Sequence, residues 1–281
     1  MKTSLVKETM FLSYLSYHTR DEIDNLNKYG KLDPNTPPEW VKLWDEIKNN
    51  IDKIELYDCL DYDIPDAQFI YTHDKEGRLF IAFRGTKSFG DIITDITAIN
   101  DKFIDICYSP YYLTHERKSK SLPHVHDGFY KICNLLKYKV ANIVDKYLNT
   151  YYGEGHIYEI ILTGHSMGAV ASILTSVIIY CYHHKLIANN TLKLFNITYG
   201  APKSGNYEFS RVYQDWIKNS WHFYHSCDPI PYLPPIKFYS VSREIKVDIE
   251  ENNKFKMFSL NYHFLGNYLK YIAIMENEIK I

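Results

Sequence analysis

The chain has 281 residues, with 32 Lys and Arg against 34 Asp and Glu, and so a formal charge of −2. That near-neutral balance lacks the basic excess of a nucleic-acid binder, and 46% hydrophobic with 23% charged residues excludes a disordered chain. A chain of this length can bury a full core without disulfides or metals to staple it.

Read from the N-terminus, Lys2, Lys7 and Glu8 place charge where a secretion signal needs an apolar run, so we expect a cytoplasmic or otherwise intracellular protein. Through residues 1–60 apolar positions recur at helical spacing, as at Leu12 and Leu15 or Trp44, Ile47 and Ile51. The proline-rich break at 33–38 reads as a loop. Residues 67–73 and 78–84, rich in β-branched and aromatic side chains around Asp74 and Gly77, predict a β-hairpin. Between Lys87 and Pro123 lie Phe103, Ile104, Ile106, Tyr108, Tyr111, Tyr112 and Leu113. This apolar insertion either forms a lid-like flap that opens or packs on the core.

A helix is predicted over 128–148, followed by a strand at 157–163, a helix at 167–184, a strand at 194–199, a helix at 207–218 and a strand at 221–224. Such alternation predicts an α/β fold with a mostly parallel sheet flanked by helices. No composition shift marks a boundary, so residues 1–281 read as a single domain with 1–65 as an N-terminal helical segment packed on it. The longest apolar stretch, 170–181, is too short for a transmembrane segment. Cys59, Cys107, Cys133, Cys181 and Cys227 are odd in number and form no C-x-x-C pair, pointing to a reducing compartment and to neither a disulfide framework nor a zinc knuckle. His124, His126, His183 and His184 lack partners at metal-ligand spacing, so no metal is expected. The two Asn-x-Thr patterns, at Asn189 and Asn196, read as coincidental.

The chemically informative turn is Gly164-His165-Ser166-Met167-Gly168. It follows a β-rich run and opens a helix containing small residues. A sharp strand-to-helix corner strains its central residue, and side chains two positions away on either side would collide, so Gly164 and Gly168 form the elbow around Ser166. The Met167 amide, at a helix N-terminus, can donate to a developing oxyanion. A serine nucleophile needs a base and an acid that orients it, supplied by loops after later strands. His222 reads as a strand residue, while His225 and His263 both stay open. Asp228 precedes Pro229 and Pro231 directly after a strand, where it is either the acid or a turn initiator; Asp215 and Asp248 read as solvated surface.

Five segments, in order, resemble the class 3 lipases, the fungal-lipase-like branch of the α/β-hydrolases. They are Arg84-Gly85-Thr86 ending a strand, His126-Asp127-Gly128-Phe129 entering a helix, the Ser166 elbow, Gly200-Ala201-Pro202 through Gly205-Asn206, and Asp228-Pro229 through Pro234-Pro235. The resemblance implies an α/β-hydrolase fold with Ser166, Asp228 and His263 as catalytic residues. Met167 and Thr86 would give the oxyanion amides. It implies a serine hydrolase cleaving carboxylic esters of lipids, a triacylglycerol or other acylglycerol lipase, through an acyl-enzyme and with no cofactor. The partner would be a lipid ester at a membrane or droplet surface. The alternatives are a phospholipase A-type or monoacylglycerol hydrolase and, in another class, a catalytically silent lipid- or protein-binding module. Ala169 replaces a usual glycine, and Ile92 replaces a usual tryptophan in the lid region, which bears on substrate choice and not on the chemistry.

Overall fold

A computed structural model describes residues 2–58, 67–86, 101–103, 123–150, 156–248 and 258–275. The lid-like stretch therefore falls outside the described residues, apart from Pro123 and a short strand at its middle.

Three helices come first: α1 (Thr3–Leu15), α2 (Arg20–Tyr29) and α3 (Pro38–Ile47). Their ends follow local chemistry. Thr19 and Glu22 form a reciprocal capping box at the start of α2, Gly30 ends it in the left-handed region at φ 65°, and Pro38 opens α3 where a missing amide costs nothing. Next come β1 (Glu55–Asp58), β2 (Gln68–His73) and β3 (Leu79–Phe83), then β4 (Asp101–Phe103) and β5 (His124–His126) as a separate antiparallel pair. The chain continues through α4 (Asp127–Thr150), β6 (Tyr158–His165), α5 (Met167–Ala188), β7 (Leu192–Tyr199), α6 (Tyr207–Trp216), β8 (Asn219–Tyr224) and β9 (Arg243–Lys246), and ends in α7 (Leu265–Met275).

The main sheet has the order β1-β2-β3-β6-β7-β8-β9. β1, β2 and β3 pair antiparallel; from β3 to β9 every neighbour pair is parallel. Both faces are covered, as parallel pairing requires. Leu79, Ile81, Phe83, Ile160 and Leu162 point into a core shared with α4, α5 and α6. Phe80, Ala82, Ile161, Ile197 and Tyr199 point the other way, into a core shared with α1, α3 and α7. The 22 residues of α5 are long and apolar enough to cross a bilayer by length and composition, yet every residue from Met167 to Val177 is buried inside the protein.

The predicted hairpin and alternating elements appear within a few residues of their expected ends. The short strands β1, β5 and β9 carry too little pattern to be read from sequence. Two expectations need correction. Asp248 is no solvated surface group: it accepts from the Ser226 amide at 2.8 Å and the Ser226 hydroxyl, and pairs with Lys246 at 2.8 Å. Cys181 is disulfide-bonded, whereas Cys133 and Cys227 are free and buried.

Candidate active site

β6 and α5 meet at a one-residue corner occupied by Ser166, with φ 58° and ψ −125°. Such a conformation costs a side-chain-bearing residue on the order of 1–3 kcal/mol and persists only where neighbours hold it. Here the Ser166 amide donates to Tyr199 O at 3.0 Å, extending the β6–β7 pairing past the corner. The flanking glycines are demanded by close approach. A Cβ at Gly164 would strike the backbone of Gly168, and one at Gly168 would strike the backbone of Phe83 and Arg84. That second approach also brings the end of β3, and Thr86 beyond it, alongside the first turn of α5. Ser166 is 1% exposed, and its Oγ makes no hydrogen bond among the described residues.

Asp228, the acid expected from sequence, stands on the turn after β8. The Asp228 amide donates to His225 O at 3.0 Å, and Asp228 Oδ1 accepts from the Ile230 amide at 2.9 Å, so the turn itself anchors the carboxylate. Asp228 Oδ2 accepts from His263 Nδ1 at 2.7 Å and from the Tyr268 hydroxyl at 2.6 Å. Burial and the Asp228 charge push the Tyr268 phenol well above its usual range, which keeps it a donor. His263 closes a short 3-10 turn, Leu260–His263, capped by Ser259. The Ser259 amide donates to Cys227 O at 3.0 Å, stitching the loop that carries the base to the loop that carries the acid. Asp228 and His263 are both fully buried.

Ser166, Thr86 and His263 line one cavity of about 400 Å³. Met167 heads α5 beside it, 4% exposed. The structure therefore brings together the serine, the base and the oxyanion strand expected from sequence, with the acid directly behind the base. It places the other candidate histidines elsewhere. His222 lies buried in β8, its Nε2 accepting from the Ala201 amide at 2.9 Å, and burial pushes its imidazole down to about 4. His225 stacks on Tyr262 at 4.3 Å, and its Nδ1 accepts from the Cys227 amide at 3.0 Å. Neither lines the cavity. Among the described residues no cluster of His, Cys, Asp or Glu is arranged to hold a metal ion.

Four groups went unrecognised in the sequence. Tyr268 secures the acid from α7. Tyr14 and Trp40, stacked face to face at 4.1 Å and 8°, form a cavity wall from α1 and α3, and Tyr17 joins them just past α1. Spacing within helices marks Tyr14 and Trp40 only as core positions, so no local signal distinguishes them from residues that merely pack.

A mostly parallel sheet with a strained serine at a strand-to-helix corner, followed in chain order by the acid and the histidine, defines the α/β-hydrolase class. A family model described as class 3 lipase matches residues 80–238. The chain belongs to that family. It is 26% identical over 227 residues to a lipase of Rhizomucor miehei, an alignment covering 78% of this chain and 56% of that protein. The chain thus spans little more than half the length of this curated relative. Its fold matches lipase II of Rhizopus niveus with a TM-score of 0.65 at 19% identity, covering 94% of each chain. It also matches, with a TM-score of 0.62 at 21% identity over 92% of this chain and 91% of the other, a triacylglycerol lipase whose catalytic centre is a serine-protease triad.

Proposed function

We propose that this protein hydrolyses the carboxylic ester bonds of lipids, acylglycerols foremost, through an acyl-enzyme on Ser166. The observation that carries this reading is the shared cavity: a strained, buried serine and an imidazole already bound to a carboxylate line the same open pocket. In the first half-reaction Ser166 Oγ attacks the ester carbonyl while His263 Nε2 takes its proton. Asp228 holds the ring through Nδ1 and stabilises the imidazolium that forms. The Met167 and Thr86 amides receive the oxyanion, each worth about 3 kcal/mol in the transition state. Collapse of the tetrahedral intermediate breaks the bond to the alcohol, which leaves with the proton from His263. Water then attacks the acyl-serine with His263 again as base, releasing the fatty acid and restoring Ser166.

The cavity walls support an apolar acyl substrate, being built from Tyr14, Trp40 and Leu265 with few polar groups. Ile236, Phe258 and Phe264, between 49% and 65% exposed, lie on the stretches that follow Asp228 and surround His263. These support work at a lipid surface, where they would face the acyl layer. The test compares wild type with Ser166→Ala on p-nitrophenyl butyrate and on triacylglycerol emulsion, with fluorophosphonate labelling in parallel. Wild type should turn over and label at one serine, and Ser166→Ala should do neither. Undiminished turnover by the alanine variant would remove Ser166 from the mechanism.

A further inference from the structure

His263 sits on a loop outside the sheet, with no strand pairing to set its distance from Ser166. Its side chain is tied to Asp228, but that bond fixes the ring relative to the β8 turn and not relative to the elbow. One bond spans that gap, and a second backs it. His165, the residue before Ser166, places Nε2 at 2.7 Å from the main-chain carbonyl of His263, and its Nδ1 at 2.9 Å from the Tyr17 hydroxyl. A carbonyl only accepts, so Nε2 carries the hydrogen; the neutral ring then accepts at Nδ1, and Tyr17 must donate. The His165 ring also lies against that of His263, centroids 4.5 Å apart at 35°.

The surroundings keep His165 uncharged: its burial, and next to that the charge on His263, drive the imidazole well below its usual range. A second cation stacked on the base would oppose the imidazolium that catalysis forms. The space for Tyr17 is reserved as well, because a Cβ at Gly85 would overlap its hydroxyl and lie 2.6 Å from His165 O. Upstream, Gln68 Nε2 donates to Ser16 O and His18 O, both at 2.9 Å, which grips the chain on either side of Tyr17.

We propose that Tyr17 and His165 are positioning residues, a two-bond brace running from the N-terminal helical segment through the elbow to the backbone of His263, which sets the base against the nucleophile. The brace rests on the reading of Ser166 and His263 given above. Its function is distinct from that of Asp228: the carboxylate orients the ring, and the brace locates the residue that carries it.

Side-chain replacements of matched polarity separate the brace from mere packing. His165→Gln can still present an amide donor near the position of Nε2, whereas His165→Asn carries the same amide but stops short of the His263 carbonyl. On p-nitrophenyl butyrate, kcat should fall at least about tenfold in His165→Leu and His165→Asn with KM changed less than about twofold. His165→Gln should stay within about threefold of wild type. Tyr17→Phe should lower kcat about three- to tenfold in the wild-type background and add nothing in His165→Leu, since the bond it removes is already lost there. Melting temperatures are recorded for each variant; should the leucine protein not fold, the Gln–Asn pair decides. Equal losses in Gln and Asn, or losses confined to KM, overturn the brace while Ser166→Ala remains inactive and the site reading stands. A wild-type protein that neither turns over ester nor takes the fluorophosphonate overturns both.

Discussion

Single residues govern this site by what they leave out as much as by what they supply. Gly85 shows this best. It stands between Tyr17 and the elbow, where any side chain would overlap the phenol and press on the main-chain oxygen of His165. A flexible side chain could yield, but the backbone of the elbow cannot move without moving Ser166. Gly85→Ala should therefore cost about 1–3 kcal/mol of stability through overpacking and lower kcat more than about tenfold, because Thr86 and Ser166 are pushed apart. Steady-state kinetics beside thermal melting checks both parts; a variant that loses stability and keeps full kcat would show that the oxyanion strand does not depend on this contact. Tyr268 works by addition. Its hydroxyl gives the Asp228 carboxylate a third donor, beside the Ile230 amide and His263, for a buried charge that would otherwise be under-solvated.

At the scale of elements, α1 is the piece on which the cavity depends. Nine of its 13 residues are buried, polar ones among them, and two of these bond strand residues. Thr9 Oγ1 bonds the Tyr199 hydroxyl at 2.8 Å, and Ser13 Oγ bonds Thr163 Oγ1 at 2.9 Å. The N-terminal end is held by a buried ion cluster: Arg78 donates to Glu8 at 3.1 Å and to Asp74 in the turn of the β2–β3 hairpin. Burial raises the Glu8 carboxyl above its usual range, and Arg78 is the main influence pulling it back. Arg78→Met leaves two buried carboxyl groups without their cation, and should destabilise the protein by about 3–5 kcal/mol. Urea unfolding measures it. A loss below about 1 kcal/mol would mean that apolar contacts alone dock α1.

For the whole molecule, buried neutral histidines set the response to acid. His222 is held down to about 4 by burial, against 6.5 for the free side chain, and His165 is displaced in the same direction. The unfolded chain binds these protons first, so stability conferred by the neutral rings is complete above pH 6.5 and is lost as pH falls from there towards 4. His222 alone contributes about 3 kcal/mol over that window. Melting temperature should therefore decline between pH 6.5 and 4, and His222→Gln, which keeps an acceptor for the Ala201 amide, should flatten the decline. An unchanged slope would place the acid sensitivity elsewhere.

The sequence by itself determined the nucleophile corner, the acid turn and the order of strands and helices around them. Those features are local: a strained serine needs its two glycines within two residues, a proline-fixed turn follows its strand directly, and helical or strand periodicity is written into each segment. Chain order then left His225 and His263 standing, a choice that family resemblance could favour but spacing could not make. The tertiary structure puts one ring on Asp228 and stacks the other between tyrosines, and the proposed base rests on that difference. Only the packed molecule could also reveal that Tyr14, Tyr17 and Trp40, far upstream in sequence and patterned like any core residue, wall the cavity, or that Tyr268 and His165 tether the acid and the base. Their roles come from distances between segments brought together by burial of two sheet faces, and such distances leave no periodic trace along the chain.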